Sequence, residues 1–172
     1  MSDTTFEKGQ HVIYGTNGLC TVEDIKKMSF IKGEKAKEYY ILEPVKAKAS
    51  TIFVPMDNEK LMSKMRGAMT KGQIDSLLLG MSDKELAWED DRRVRAETFH
   101  DIIAKGVSED LLLMIRCIYI KKRDLEERNK KLAMTDNKSL EFAEAMVEEE
   151  FSYVLDIKRS EVGAYIRKVL GM

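Results

Sequence analysis

Hydrophobic and polar positions change their period once along this chain, near residue 60. Before that point apolar residues come in short, β-branched runs separated by turn residues, which reads as strands. His11-Val12-Ile13-Tyr14 is the first run. Gly15-Thr16-Asn17-Gly18 follows, and its Asn-Gly step supplies the positive φ angles of a tight hairpin. Leu19, Thr21 and residues 22–25 form the return strand, and Lys32-Gly33-Glu34-Lys35 marks a second turn. Glu38-Tyr39-Tyr40-Ile41-Leu42-Glu43 is a third strand and Thr51-Ile52-Phe53-Val54 a fourth, stopped by Pro55. Pro44 and Pro55 both fall at strand edges, as expected of residues with no N–H to give a ladder. Four or five strands in about 55 residues predict a small, bent antiparallel sheet or SH3-like barrel.

After Pro55 the apolar period becomes three to four, and no further proline appears. Residues 57–65 suit a first short helix with Asp57 as N-cap. Thr70 and Gln73 have capping-box spacing ahead of Ile74, Leu77, Leu78 and Leu79, and Gly80 ends that helix. Residues 82–88 are a connector or a helix start. Residues 89–105 read as a helix with Val94, Phe99, Ile102 and Ile103 inward, stopped by Gly106. Ser108 caps a long helix to about Leu132, whose apolar face holds Leu111, Leu112, Ile115, Ile118 and Tyr119. Thr135 or Asp136 caps the next, with Leu140, Ala143, Val147, Phe151, Val154 and Leu155 inward. Ser160 caps the last, with Val162, Tyr165, Ile166 and Val169. The expected architecture is α+β and multidomain: a small antiparallel β-domain over residues 1–66, then an all-α domain over 67–172, a bundle of four to six helices.

A length of 172 residues accommodates two small domains, and a hydrophobic share of 44% is enough for packed cores. No stretch approaches the roughly 20 apolar residues of a membrane span. Residues 1–6 lack the basic and apolar regions of a signal peptide, so the expectation is a soluble, cytoplasmic protein with no membrane partner. Lys and Arg number 29 against 30 Asp and Glu, a net charge of -1. That weighs against a globally basic, sequence-independent DNA binder but leaves room for a local basic patch. Cys20 and Cys117 are far apart and read as free thiols in a reducing compartment.

Enzyme signatures are missing from the text of the chain. His11 and His100, its two histidines, sit in no triad motif, and there is no P-loop. Glu148-Glu149-Glu150 reads as a solvated helix face rather than a cation site. The expectation is a non-enzymatic protein with no cofactor, metal or small-molecule substrate.

Three features suggest binding. An apolar strand with a free edge, as at Ile52-Phe53-Val54-Pro55, is a template for a partner's strand, although ordinary sheet core is the plainer account. If Ile52 and Val54 point inward, Phe53 points out. Trp88, the single tryptophan, precedes Glu89-Asp90-Asp91 and then Arg92-Arg93-Val94-Arg95. An indole beside arginines suits a nucleic-acid contact, and a core tryptophan beside a solvated helix is the commoner outcome. Lys121-Lys122-Arg123 with Arg128, Lys130 and Lys131, interleaved with Glu126 and Glu127, reads first as a solvated face.

In order and spacing these features resemble the CarD-like family of bacterial transcription regulators, over about residues 6 to 170. The resemblance is carried by Phe6-Glu7-Lys8-Gly9-Gln10-His11-Val12-Ile13-Tyr14 with Gly15 and Gly18, by Glu38-Tyr39-Tyr40-Ile41-Leu42, and by Ile52-Phe53-Val54-Pro55. Trp88, Arg92, Phe99, Gly106 and Ile118-Tyr119-Ile120-Lys121-Lys122 carry it in the second half. It implies a Tudor-like first domain, shared with the transcription-repair coupling factor, that docks on the RNA polymerase β subunit. It also implies a helical domain that places a tryptophan in the minor groove at the upstream fork of the melted promoter and so stabilises the open complex.

Carried onto this chain, the resemblance makes Phe53 and Pro55, with Ile41 beside them, polymerase-contact positions. It makes Trp88 the wedge at promoter DNA, with Arg92, Arg93 and Arg95 as phosphate partners. Where some members carry arginine at Phe53 and a basic residue near Met28 or Ser29, this chain is apolar or neutral, which implies a polymerase contact less sensitive to salt. The acidic run 89–91 departs from the basic flank of other members and weighs against tight binding to free DNA. The alternative is a polymerase-binding adaptor whose helical domain recruits another protein, with Trp88 buried.

Overall fold

The computed structural model describes residues 5–170; the expectation that residues 1–6 hold no leader falls largely on residues outside that range. The chain divides into two compact units, residues 1–68 and 69–172.

The first unit is a five-stranded antiparallel sheet. Its strands are β1 (His11–Tyr14), β2 (Leu19–Met28), β3 (Lys37–Pro44), β4 (Ile52–Pro55) and β5 (Met65–Gly67), in the spatial order β4-β3-β2-β1-β5. Alternation decides which face is buried. Val12, Tyr14, Val22, Tyr40, Leu42 and Val54 point to one core with Phe6, Cys20 and Met65. Tyr40 is fully buried, and its hydroxyl accepts the Phe6 N–H at 3.1 Å, so the polar end of the ring is satisfied. The register of β2 on β3 shifts between Val22 and Asp24, a bulge that bends the long hairpin.

Three local expectations are corrected here. The turn between β1 and β2 is a 3-10 turn with positive φ at Gly15 and Gly18, not at Asn17. The helix expected over 57–65 is one turn, α1 (Glu59–Met62), capped by Asn58, whose Oδ1 accepts from the Leu61 N–H at 3.1 Å. Asp57 instead pairs with Lys37 at 3.0 Å. Met65 is then free to enter β5 opposite Tyr14.

The second unit holds five helices: α2 (Lys71–Leu79), α3 (Arg92–Lys105), α4 (Ser108–Glu127), α5 (Met134–Leu155) and α6 (Arg159–Leu170). Helix α5 touches each of the other four. Ile74, Leu78, Phe99, Leu111, Met114, Ile118, Leu140, Ala143, Val147, Phe151 and Val162 make the core. Thr70 and Gln73 form a complete capping box at the start of α2. Gly106 ends α3 at φ 65°, a left-handed position where a side chain would be strained.

Several expected caps and inward faces are not as the sequence suggested. Trp88 lies in the connector between α2 and α3 rather than at a helix start, because α3 begins only after Asp91. Helix α4 ends at Glu127 rather than near Leu132. Ser108, Thr135 or Asp136, and Ser160 are not caps: α4 and α5 follow Val107 and Ala133, and Ser160 lies inside α6. The Ser108 hydroxyl instead donates to Glu150 at 3.0 Å, in the interior. Glu149 and Glu150 are buried rather than solvated, and Arg159 reaches Glu149 at 3.4 Å. Val94 and Tyr119, expected inward, are exposed. Among the described residues no helix is long and apolar enough to cross a membrane.

Candidate functional site

Strand β4 is an edge strand, paired to β3 alone in the sheet. Its register sets Phe53 opposite Ile41 and Pro55 opposite Tyr39, while Val54 meets Tyr40 and Ile52 meets Leu42. Opposed residues in an antiparallel pair share a face. Tyr40, Leu42 and Val54 hold the core, so Tyr39, Ile41, Phe53 and Pro55 line the outer face. Three residues singled out from the sequence thus come together as neighbours. Phe53 is 40% exposed; Ile41 and Pro55 are half-buried.

The outer face holds a residue that the sequence reading missed. Phe30, in the turn between β2 and β3, is 61% exposed. Its ring lies edge-on to Phe53, with centroids 5.1 Å apart, and edge-on to Tyr39 at 5.2 Å. Edge-to-face geometry is favourable in itself, so the three rings form one apolar surface and not three separate exposures. The signal available in the text was Phe30-Ile31, an apolar doublet beside Gly33 at a hairpin tip where polar residues are usual. Around this face the charges are neutralised locally: Lys37 with Asp57, and Lys26 with Asp24 at 3.2 Å. The bond from Lys26, with the Ile25 N–H, holds the Asp24 carboxyl below its ordinary range, and the bond to Asp57 raises Lys37.

In the helical unit Trp88 is half-buried. Its ring meets Phe99 edge-on, with centroids 6.3 Å apart. The Arg95 guanidinium carbon lies 4.4 Å from the indole centroid and the Lys121 ammonium 5.4 Å. Both are cation–π distances. The indole also borders a concavity of about 260 Å³ with Leu86, Cys117, Ile120 and Lys121. Lys121 belongs to the basic run read as a solvated face; folding brings it to Trp88 from α4. Burial pushes the Cys117 thiol above its ordinary value, which makes it a poor nucleophile.

The acidic run beside Trp88 is used by the backbone. Asp91 caps α3, its Oδ1 accepting from the N–H groups of Arg93 at 2.9 Å and Val94 at 3.1 Å. Glu89 Oε1 accepts the Asp91 N–H at 2.9 Å. The three arginines fare differently. Arg92 is exposed; Arg93 is exposed and reaches Glu97 at 3.1 Å. Arg95 is buried, and its fork holds both oxygens of Asp136 at 3.0 and 2.9 Å. Its remaining nitrogen donates to the carbonyls of Glu89 and Asp90 at 2.7 and 3.3 Å. A guanidinium committed in this way is unavailable to a phosphate, so the structure gives Arg95 a different task from the one expected.

His11 and His100 lie in different units. Among the described residues no group of three or more His, Cys, Asp or Glu is placed to hold a metal ion.

Comparison with protein families gives one match: the family described as CarD-like/TRCF RID domain, over residues 6–66. The matched span covers all of the first unit's strands but the last residue of β5. No curated protein matches the chain.

Proposed function

We propose that this chain, whose residues 6–66 belong to the CarD-like/TRCF RID domain family, is a transcription regulator that binds the RNA polymerase β subunit and stabilises the open promoter complex. Membership of a polymerase-interacting domain family supports a polymerase partner. The observation that carries the docking surface is the register of β3 on β4, which gathers Ile41, Phe53 and Pro55 on one outer face with Tyr39 and Phe30. An exposed apolar face around a free edge strand fits strand addition, with main-chain bonds giving affinity and the aromatic side chains giving selectivity.

In this reading Trp88 meets promoter DNA at the upstream fork, with Arg92 and Arg93 as phosphate partners. A wedge between base steps costs several kcal/mol in intact duplex and less where stacking is already disturbed, as at a fork. A chain with net charge -1 has little general affinity for phosphate. Docking on polymerase would supply the local concentration, so the DNA contact need only be weak. The regulator works by binding alone, without catalysis or cofactor.

The test uses full-length protein with polymerase holoenzyme and a promoter. Phe53→Glu is expected to abolish polymerase binding while leaving the circular dichroism unchanged. Trp88→Ala is expected to keep polymerase binding and to lose the gain in open-complex lifetime; loss of both would make Trp88 a core residue only.

The packing of Trp88 on Phe99 favours a second reading, an adaptor whose helical unit recruits a protein. Salt discriminates the two, because phosphate contacts give a steep dependence on salt concentration and a protein contact of this kind does not.

A further inference from the structure

Arg95 makes more contacts around Trp88 than any other side chain, and all of them fix geometry. It stands in the first turns of α3 and joins three things. Through Nε and Nη2 it is anchored to Asp136, in the first turn of α5, where a carboxylate is favoured by the helix dipole. Through Nη1 it holds the carbonyls of Glu89 and Asp90, which immediately follow Trp88 in the chain. Its guanidinium carbon lies 4.4 Å from the indole centroid. The ion pair is 6% and 5% exposed at its two side chains.

Stability alone does not call for such an arrangement. Replacing a buried ion pair by apolar residues of similar volume is often neutral or stabilising, whereas it does not reproduce a bidentate anchor or bonds to backbone carbonyls. We propose that Arg95 is a positioning residue: anchored on Asp136, it fixes the ring of Trp88 and the backbone that carries it, so that the indole is presented to nucleic acid in one orientation. This rests on the reading of Trp88 as the DNA-contacting side chain.

The test uses the full chain, in which Trp88 is the single tryptophan and its fluorescence is unmixed. The double substitution Arg95→Met with Asp136→Leu removes both charges together. It is expected to keep the helical circular dichroism and melting temperature of the parent. Acrylamide quenching of Trp88 should rise at least twofold, and the gain in open-complex lifetime should fall to that of Trp88→Ala. A purely structural ion pair predicts the opposite, full function once the fold is restored. A folded double variant with parental quenching, or with parental open-complex lifetime, overturns the proposal.

Arg95→Lys keeps the charge but not the fork, and it serves if the double variant does not fold. Raised quenching with unchanged polymerase binding is expected, and parental quenching overturns the proposal. Trp88→Ala in the same lifetime assay separates the two levels. If it has no effect, the DNA reading fails and takes this proposal with it. If Trp88→Ala loses the effect while the double variant keeps it, the positioning role alone fails.

Discussion

Ile41 and Phe53 stand directly opposite each other on β3 and β4, and both face away from the core, while their chain neighbours Tyr40, Leu42 and Val54 are fully buried. One step along either strand therefore separates a residue available to a partner from one that holds the sheet together.

That step gives a paired prediction. Leu42→Ala, in the core, should destabilise the first unit by about 2–5 kcal/mol. Phe53→Ala and Phe30→Ala should leave the unfolding midpoint within about 0.5 kcal/mol of the parent. Each should weaken polymerase binding by about tenfold or more, since losing the burial of a phenylalanine ring is worth about 1.5–3 kcal/mol. Denaturant melts and titration calorimetry on the same samples check both halves. Parental affinity in Phe30→Ala would remove that ring from the docking face.

Salt offers a second check on the same face. Its charged neighbours are already paired, Lys37 with Asp57 and Lys26 with Asp24. Polymerase affinity is therefore expected to vary less than threefold or so between low and physiological salt, where Debye lengths fall from about 30 to 8 Å. A steep loss with salt would mean that the lysines, not the rings, carry the contact.

Asp91 sits two or three residues from the atoms it bonds, and its carboxylate is the N-cap of α3. Asp91→Ala should cost about 1 kcal/mol in a denaturant melt, and Asp91→Asn only a few tenths. An equal loss in both would assign the effect to charge rather than to the cap.

Two tyrosine hydroxyls donate to carboxylates, Tyr119 to Glu144 and Tyr165 to Asp75, and these bonds with desolvation push each up to about 12. The value is raised in the folded state, so the protonated form is favoured. The resulting stability is complete below the ordinary tyrosine value near 10 and is lost as pH rises through 12. Absorbance titration should show a tyrosinate phase near pH 12 that Tyr119→Phe and Tyr165→Phe each reduce. Titration of both groups near pH 10 would refute the two bonds.

What was legible in the sequence was whatever depends on near neighbours. The strands over 11–14, 38–43 and 52–54, the Thr70–Gln73 box and the Gly106 stop all follow from local period and local backbone preference. What was missed depends on residues far away in the chain. Strand β5 has only three residues and exists because β1 offers it an edge. Ser108 and Asp136 looked like caps, yet their side chains are drawn to Glu150 and Arg95, 42 and 41 positions away. Phe30 looked like part of a turn, and only the β3–β4 register brings Phe53 and Tyr39 beneath it. The candidate site divides in the same way. Ile41, Phe53 and Pro55 could be found from strand alternation, whereas the burial of Arg95 and the approach of Lys121 to Trp88 could not.

The two ends of the helical unit are joined to each other. Helix α6 packs on α2, Val162 is buried in the common core, and Tyr165 reaches Asp75 across 90 positions. A ribosome delivers these parts in order, N-terminal first. The sheet unit holds all its strands once Gly67 is made, whereas the helical unit lacks a wall until α6 emerges. The order of synthesis therefore becomes an order of folding, in which the apolar helices of the second unit are exposed longest and depend on the last helix for their closure. Chains halted after residue 158 should protect the sheet amides from hydrogen exchange and leave those of α2 open, and protection of α2 in such chains would contradict this sequence of events.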